Sequence, residues 1–198
     1  MFTTKPTPGR ILDFDLENRP LSYWYDGQCT AEVTAFGWCW VGEGPVNTLL
    51  LLHDGTFVDD EGIRYPPRKA YELFLAELYQ ADLVTGHYIR RHDLPILNAM
   101  LMDLDMPGMD KVQTSDTKLD LIKRKDLATS QEALAAMLGL PEPKHHMTQE
   151  EWREANRLTE AGLEFTRKRV TDDVIQHMAL RAALLERGWL KPPRTWSP

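Results

Sequence analysis

One stretch near the start of the chain constrains it more than any other: Ile11-Leu12-Asp13-Phe14-Asp15-Leu16-Glu17-Asn18. Leu12, Phe14 and Leu16 alternate with polar residues, the period-two pattern of a strand. On such a strand Asp15 and Glu17 share a face, with side chains about 7 Å apart. Carboxylates this close repel, and both stay ionised only with a cation between them. A hard divalent cation suits, because it takes carboxylate oxygens together with water and phosphate oxygens. A strand end with a solvated polar face is the plain alternative. Asp-x-Glu alone does not separate the two.

The chain has 198 residues, 42% hydrophobic and 27% charged, enough for one well-cored α/β domain. No run of about 18 apolar residues is present, so no membrane span is expected. Residues 1–8 carry no apolar segment of the secretory kind, and Cys29 and Cys39 have no disulfide-framework or zinc spacing. Both cysteines are read as core thiols, and the expected location is cytoplasmic. The net charge of −7 argues against a sequence-blind duplex binder, whose affinity comes from neutralised phosphates. It leaves room for a site at which a metal draws a phosphate locally.

The pattern predicts strands over 10–17, 32–41 and 46–53, forming an antiparallel meander. Between the first two lies an aromatic segment, Tyr23-Trp24-Tyr25, followed by an Asp26-Gly27 turn. A helix follows Pro66-Pro67, with Tyr71, Phe74, Leu75 and Leu78 on one face. Strands over 83–87 and 111–116 flank a helix opening at Asp93, which is placed as its N-cap. Ser130 caps a helix through Leu138, Thr148 to Glu151 forms a capping box, and a long helix covers 162–187. The fold class is therefore α/β, a mixed sheet of three antiparallel strands and then parallel strands, flanked by helices. Residues 1–198 are expected to form a single domain, with loose tails at 1–9 and 191–198.

Three further acids stand out. Asp93 follows Gly86-His87-Tyr88-Ile89-Arg90-Arg91-His92, and as an N-cap it needs no metal. Asp172 and Asp173 lie in the long helix. Asp173 shares a stripe with Val170, His177, Leu180 and Leu184 and is expected to face inward. Asp172 shares a more polar face with Arg169, Gln176 and Ala179. An inward acid needs a partner, because a lone buried charge is costly.

In this order the stretches resemble the DEDD superfamily of 3′–5′ exonucleases, DnaQ-like proteins of ribonuclease H-like fold. Phe14-Asp15-Leu16-Glu17 is similar to its first motif, Gly86-His87 through His92-Asp93-Leu94-Pro95 to its second, and Asp173-Val174 to its third. Asp116-Thr117 and Leu138-Gly139-Leu140 fit the stretch between the last two. The resemblance implies a two-metal phosphodiester hydrolase, with Asp15, Glu17, Asp93 and Asp173 as catalytic residues and ligands of two Mg²⁺ or Mn²⁺ ions. It implies a single-stranded 3′ end as substrate, DNA as the first expectation, bound near Leu16, Asn18, His87 and Tyr88. Replication or repair partners are compatible with it. Tyr88 or the Tyr23-Trp24-Tyr25 cluster is placed to stack bases, and Arg90 and Arg91 to touch phosphates.

The departures are specific. The family usually has Thr where this chain has Asn18. It usually has Tyr four residues, or His five residues, before the last Asp; here those positions hold Arg169 and Lys168. An arginine stays protonated and cannot act as a base. His177, His145 and His146 are the replacements at hand, or the cations alone activate the water. Two rivals follow: a catalytically degenerate nucleic-acid-binding module on the same fold, and an endonuclease.

Overall fold

The computed structural model describes residues 9–20, 31–121, 127–141 and 146–198. Tyr23-Trp24-Tyr25, the Asp26-Gly27 turn, Cys29 and His145 lie outside the described residues.

Strand β1 (Ile11–Pro20) pairs antiparallel with β2 (Ala31–Trp40), which pairs with β3 (Asn47–Leu51). Beyond β3 lie β4 (Phe57–Asp59) and β5 (Arg64–Tyr65), both antiparallel. On its other side β1 pairs parallel with β6 (Leu83–Gly86), and β6 with β7 (Val112–Asp116). Strand β8 (Arg194–Trp196) closes that edge antiparallel to β7. The result is an eight-stranded mixed sheet ordered β5-β4-β3-β2-β1-β6-β7-β8. With helices packed against it, the fold is α/β and consistent with a ribonuclease H-like architecture.

The alternation in β1 sorts its side chains. Leu12, Phe14 and Leu16 are buried in the main core with α1 (Pro67–Tyr79) and α2 (Asp93–Asp103). Phe36 sits at the centre of an aromatic group there, its ring 4.8–5.6 Å from those of Phe57, Tyr71 and Phe74. Asp13, Asp15 and Glu17 point the other way. The face they share is covered by α6 (Glu160–Glu186), which packs across β1, β2 and β3. Helix α4 (Gln131–Met137) and helix α5 (Gln149–Arg157) lean on α6 in turn.

Gly37 decides how closely α6 approaches. It pairs with Asp15 across the ladder, and a Cβ there would lie 2.6 Å from Cγ2 of Val170. That methyl belongs to a stiff β-branched side chain on α6, so it cannot swing away cheaply. Gly37→Ala should therefore lift α6 from the sheet and cost about 1–3 kcal/mol, the usual range for overpacking. Chemical denaturation measures this, and an unchanged midpoint would show that α6 is not seated on Gly37.

Three expectations are corrected. Strand β1 continues through Asn18, Arg19 and Pro20, past a bulge at Glu17/Asn18 where β2 carries one extra residue. The C-terminal tail is not loose throughout: Arg194–Trp196 forms β8, because burial of Trp196 and Thr114 Oγ1 donating to the Arg194 carbonyl (2.8 Å) hold it to β7. Strands β4 and β5 and the one-turn helix α3 (Thr117–Leu121) have no counterpart in the sequence reading.

Candidate metal and nucleic-acid site

The site is built from two rows of side chains that stay in step. On β1 the row is Asp13, Asp15, Glu17, two residues apart. On α6, running the opposite way, it is His177, Asp173, Arg169, four residues apart. Two strand residues rise about 6.6 Å, and four helical residues about 6 Å, so the rows keep register over three rungs. In the first rung, His177 Nδ1 lies 2.7 Å from Asp13 Oδ2. In the third, Arg169 Nε donates to Glu17 Oε1 at 2.8 Å. Between them, Asp15, Glu17 and Asp173 each place one carboxylate oxygen within 4.8 Å of the others. The bulge at Glu17/Asn18 shifts the register of the ladder beside this cluster.

Asp93 reaches the same place from α2. Its Oδ1 accepts from the Leu16 backbone N–H at 3.2 Å, between Asp15 and Glu17 along β1. The N-cap expectation is corrected here. His92 occupies the cap position, Asp93 is the first helical residue, and the Asp93 carboxylate reaches across to β1. Asp93 is not one of the three acids that close to within 4.8 Å. His92 Nδ1 lies 3.7 Å from Asp93 Oδ2, and hydrogen bonding to that carboxylate raises the His92 pKa.

These acids open into a cleft of about 310 Å³. Leu16, Asn18, His87 and Tyr88 all line it. Tyr88 has φ +76°, uncommon for a bulky residue. Asp116 holds that conformation: its carboxylate accepts from the backbone N–H groups of Tyr88, Arg90 and Leu119 at 2.9–3.1 Å. Lys118 Nζ lies over the Tyr88 ring, 4.2 Å from its centroid. Lys118 and Gln131, both missed from sequence, also line the cleft. Gln131 Nε2 donates to the Asp173 backbone carbonyl at 2.8 Å, which braces α6 at its acid. Its only sequence signal was its place just after the Ser130 cap.

Other expectations change. His177 is not available as a base for the cleft: it is 2% exposed and held between Asp13 and the Thr117 hydroxyl, Nε2 to Oγ1 3.0 Å. Arg90 does not face solvent for phosphate, because its guanidinium pairs with Asp120 at 3.0 Å and lies 3.8 Å from Asp116. Asp172 is buried rather than solvated and pairs with Lys168 at 2.6 Å. Cys39 is a buried free thiol, as expected.

The donor set fits a hard divalent cation: every group in the cluster offers carboxylate oxygen, and none offers a thiolate or imidazole. Arg169 is a cation that the chain itself places against this cluster. Besides Glu17, it reaches Asp173 (Nη2 to Oδ2 3.4 Å), and its guanidinium lies 5.1 Å from the Trp152 ring centroid. Burial opposes its charge, but Glu17, Asp173 and Asp15 outweigh that and raise its pKa.

No family model matches the chain, and no curated protein does. Among solved structures it is similar to the family B DNA polymerase from the hyperthermophilic archaeon Pyrobaculum calidifontis, with a TM-score of 0.65 and 16% identity. The likeness establishes the fold. It covers 92% of this chain and 25% of the polymerase, so the chain spans about a quarter of that protein's length. No helix among the described residues is long and apolar enough to cross a membrane.

Proposed function

We propose that the chain is a divalent-metal-dependent 3′–5′ exonuclease acting on single-stranded nucleic acid, in the first instance DNA. One observation carries the reading: Asp15, Glu17 and Asp173, 158 residues apart at the extremes, bring carboxylate oxygens within 4.8 Å beside Asp93. Arg169 offsets one of these charges, and the remainder favours a bound cation, since uncompensated buried charge is costly. The resemblance implies two ions, Mg²⁺ or Mn²⁺, at these residues. Bound there, divalent cations supply an activated water and neutralise charge building on the phosphate.

The chain's own residues place the substrate. The cleft is at the low end of small-ligand sites, a size suited to one unstacked nucleotide. Tyr88, set by Asp116 and backed by Lys118, offers an aromatic face to a terminal base. Asn18 and the Leu16 side of β1 flank the path toward the acids. The likeness to part of a DNA polymerase supports a nucleic-acid substrate.

Arg169 on Glu17 and Asp173 favours a second reading, a degenerate module that binds nucleic acid without cutting it. Single strands labelled at either end, incubated with Mn²⁺, separate the readings. Release of mononucleotides from the 3′ end is the expected result, with circular single strands untouched. Cleavage of circles would indicate an endonuclease. Retained binding with no cleavage under Mg²⁺ or Mn²⁺ would indicate the degenerate module.

A further inference from the structure

We infer that Arg169 takes the place of one of the two cations, so that the acidic site holds a single divalent ion together with a built-in guanidinium. The inference rests on the metal-site reading above and departs from the two ions that the resemblance implies.

The geometry argues that Arg169 stays in place. Its Nε and Nη2 engage carboxylates from two elements, Glu17 of β1 and Asp173 of α6. The face of Trp152 lies beside the guanidinium, and the side chain is 18% exposed. The helix that carries Trp152 lies close on α6: a Cβ on Gly162 would lie 2.1 Å from the Glu154 carbonyl oxygen. An arginine so braced loses little further freedom and keeps its charge at any working pH.

Charge points the same way. Asp15, Glu17, Asp93 and Asp173 carry four negative charges, and Arg169 removes one. One divalent ion then brings the set to −1, whereas two would bring it to +1. Space agrees with charge. Two catalytic ions need carboxylates to hold them about 4 Å apart, and the guanidinium already bridges Glu17 and Asp173, two of the three clustered acids. The single ion is then held through Asp15, with the remaining cluster oxygens and water completing its shell. Lysine at 169 would keep the charge, although not the fork. Glutamine would keep much of the length and lose the charge.

Metal counting tests this without any substrate. The full chain is stripped with chelator and titrated with Mn²⁺, and free Mn²⁺ is read by electron paramagnetic resonance. Wild type should bind one ion, and Arg169→Lys one. Arg169→Gln and Arg169→Ala should bind two, the second at least about a hundredfold more tightly than in wild type, as removal of a cation a few ångströms away predicts. Circular dichroism establishes which variants are folded, and wild type compared with Arg169→Gln decides even if the alanine variant is not. Two ions in wild type would overturn the inference and leave the metal site intact. One ion in both wild type and Arg169→Gln would also overturn it, since Arg169 would not be what limits the count. Ions bound only by the variants would mean that Arg169 closes the site altogether, which overturns the single-ion stoichiometry. No binding by any variant would remove the metal-site reading itself, and this inference with it.

Discussion

His177→Ala should cost about 3–5 kcal/mol at neutral pH, the range for removing one member of a buried ion-pair or hydrogen-bonded charge pair. For a chain of this length that lowers Tm by on the order of 10 °C. The reason is Asp13, which is fully buried and has His177 Nδ1 at 2.7–2.8 Å from both its carboxylate oxygens. Burial raises the Asp13 pKa, while His177, and Arg181 less strongly, pull it back down. With a folded pKa above the unfolded one, Asp13 contributes stability below the unfolded value near 3.8, and that contribution is lost as pH rises through the folded value. Removing His177 takes away the strongest downward influence, so the folded pKa climbs further and the penalty at pH 7 grows. The gap between variant and wild type should therefore narrow as pH falls, because a protonated Asp13 depends less on His177. Asp13→Asn in the His177→Ala background should recover part of the loss at pH 7. Urea unfolding at pH 7 and pH 5 measures all of this. An equal loss at both pH values would mean that Thr117 and packing, not Asp13, are what His177 supports.

The same rung shows what the sequence could and could not disclose. The period-two alternation of β1 places Leu12, Phe14 and Leu16 on one face and the acids on the other, as found. The helical stripe through Val170, Asp173 and His177 places Asp173 inward, as found. Both follow from local periodicity, which a sequence carries directly. Periodicity does not show that Asp13 pairs with His177, because the two lie 164 residues apart. The matched rise of strand and helix appears only once α6 is known to lie along β1. The N-cap role expected of Asp93 fails for a related reason: an Asp at a helix start satisfies local capping rules, and only the fold brings the Leu16 N–H within its reach. Strands of two or three residues, such as β4 and β5, are too short to show a period. Strand β8 was hidden behind Pro192-Pro193, which reads as an ending. Arg169 was legible as a departure at a motif position, but its double contact with Glu17 and Asp173 was not.

Asp15→Asn should lower single-turnover cleavage of a labelled single strand by at least about 10²–10⁴-fold, the loss usual when one positioned catalytic group is removed. Asparagine keeps the shape and the place on β1 but removes the charge that a divalent ion requires. Of the three clustered acids, Asp15 is the most informative to change. Arg169 is hydrogen-bonded to Glu17 and paired more weakly with Asp173, and Asp15 ranks after both among the charges acting on Arg169, so altering Asp15 disturbs Arg169 less. The fold should survive, since β1 keeps its alternation and the Leu16 N–H keeps its bond to Asp93. Mn²⁺ should raise the Tm of wild type, by binding the native state preferentially, and should do so far less for Asp15→Asn. Lys168→Ala is the matched control. Its ammonium pairs with Asp172, 2.6 Å away, and is not in the cleft, so turnover should stay within a few-fold of wild type. If Lys168→Ala were as inactive as Asp15→Asn while still binding Mn²⁺, the base would be Lys168. Cations and carboxylates alone would then not suffice for the chemistry. If Asp15→Asn cut as fast as wild type, the cluster of Asp15, Glu17 and Asp173 would not be the active site, however closely its oxygens converge.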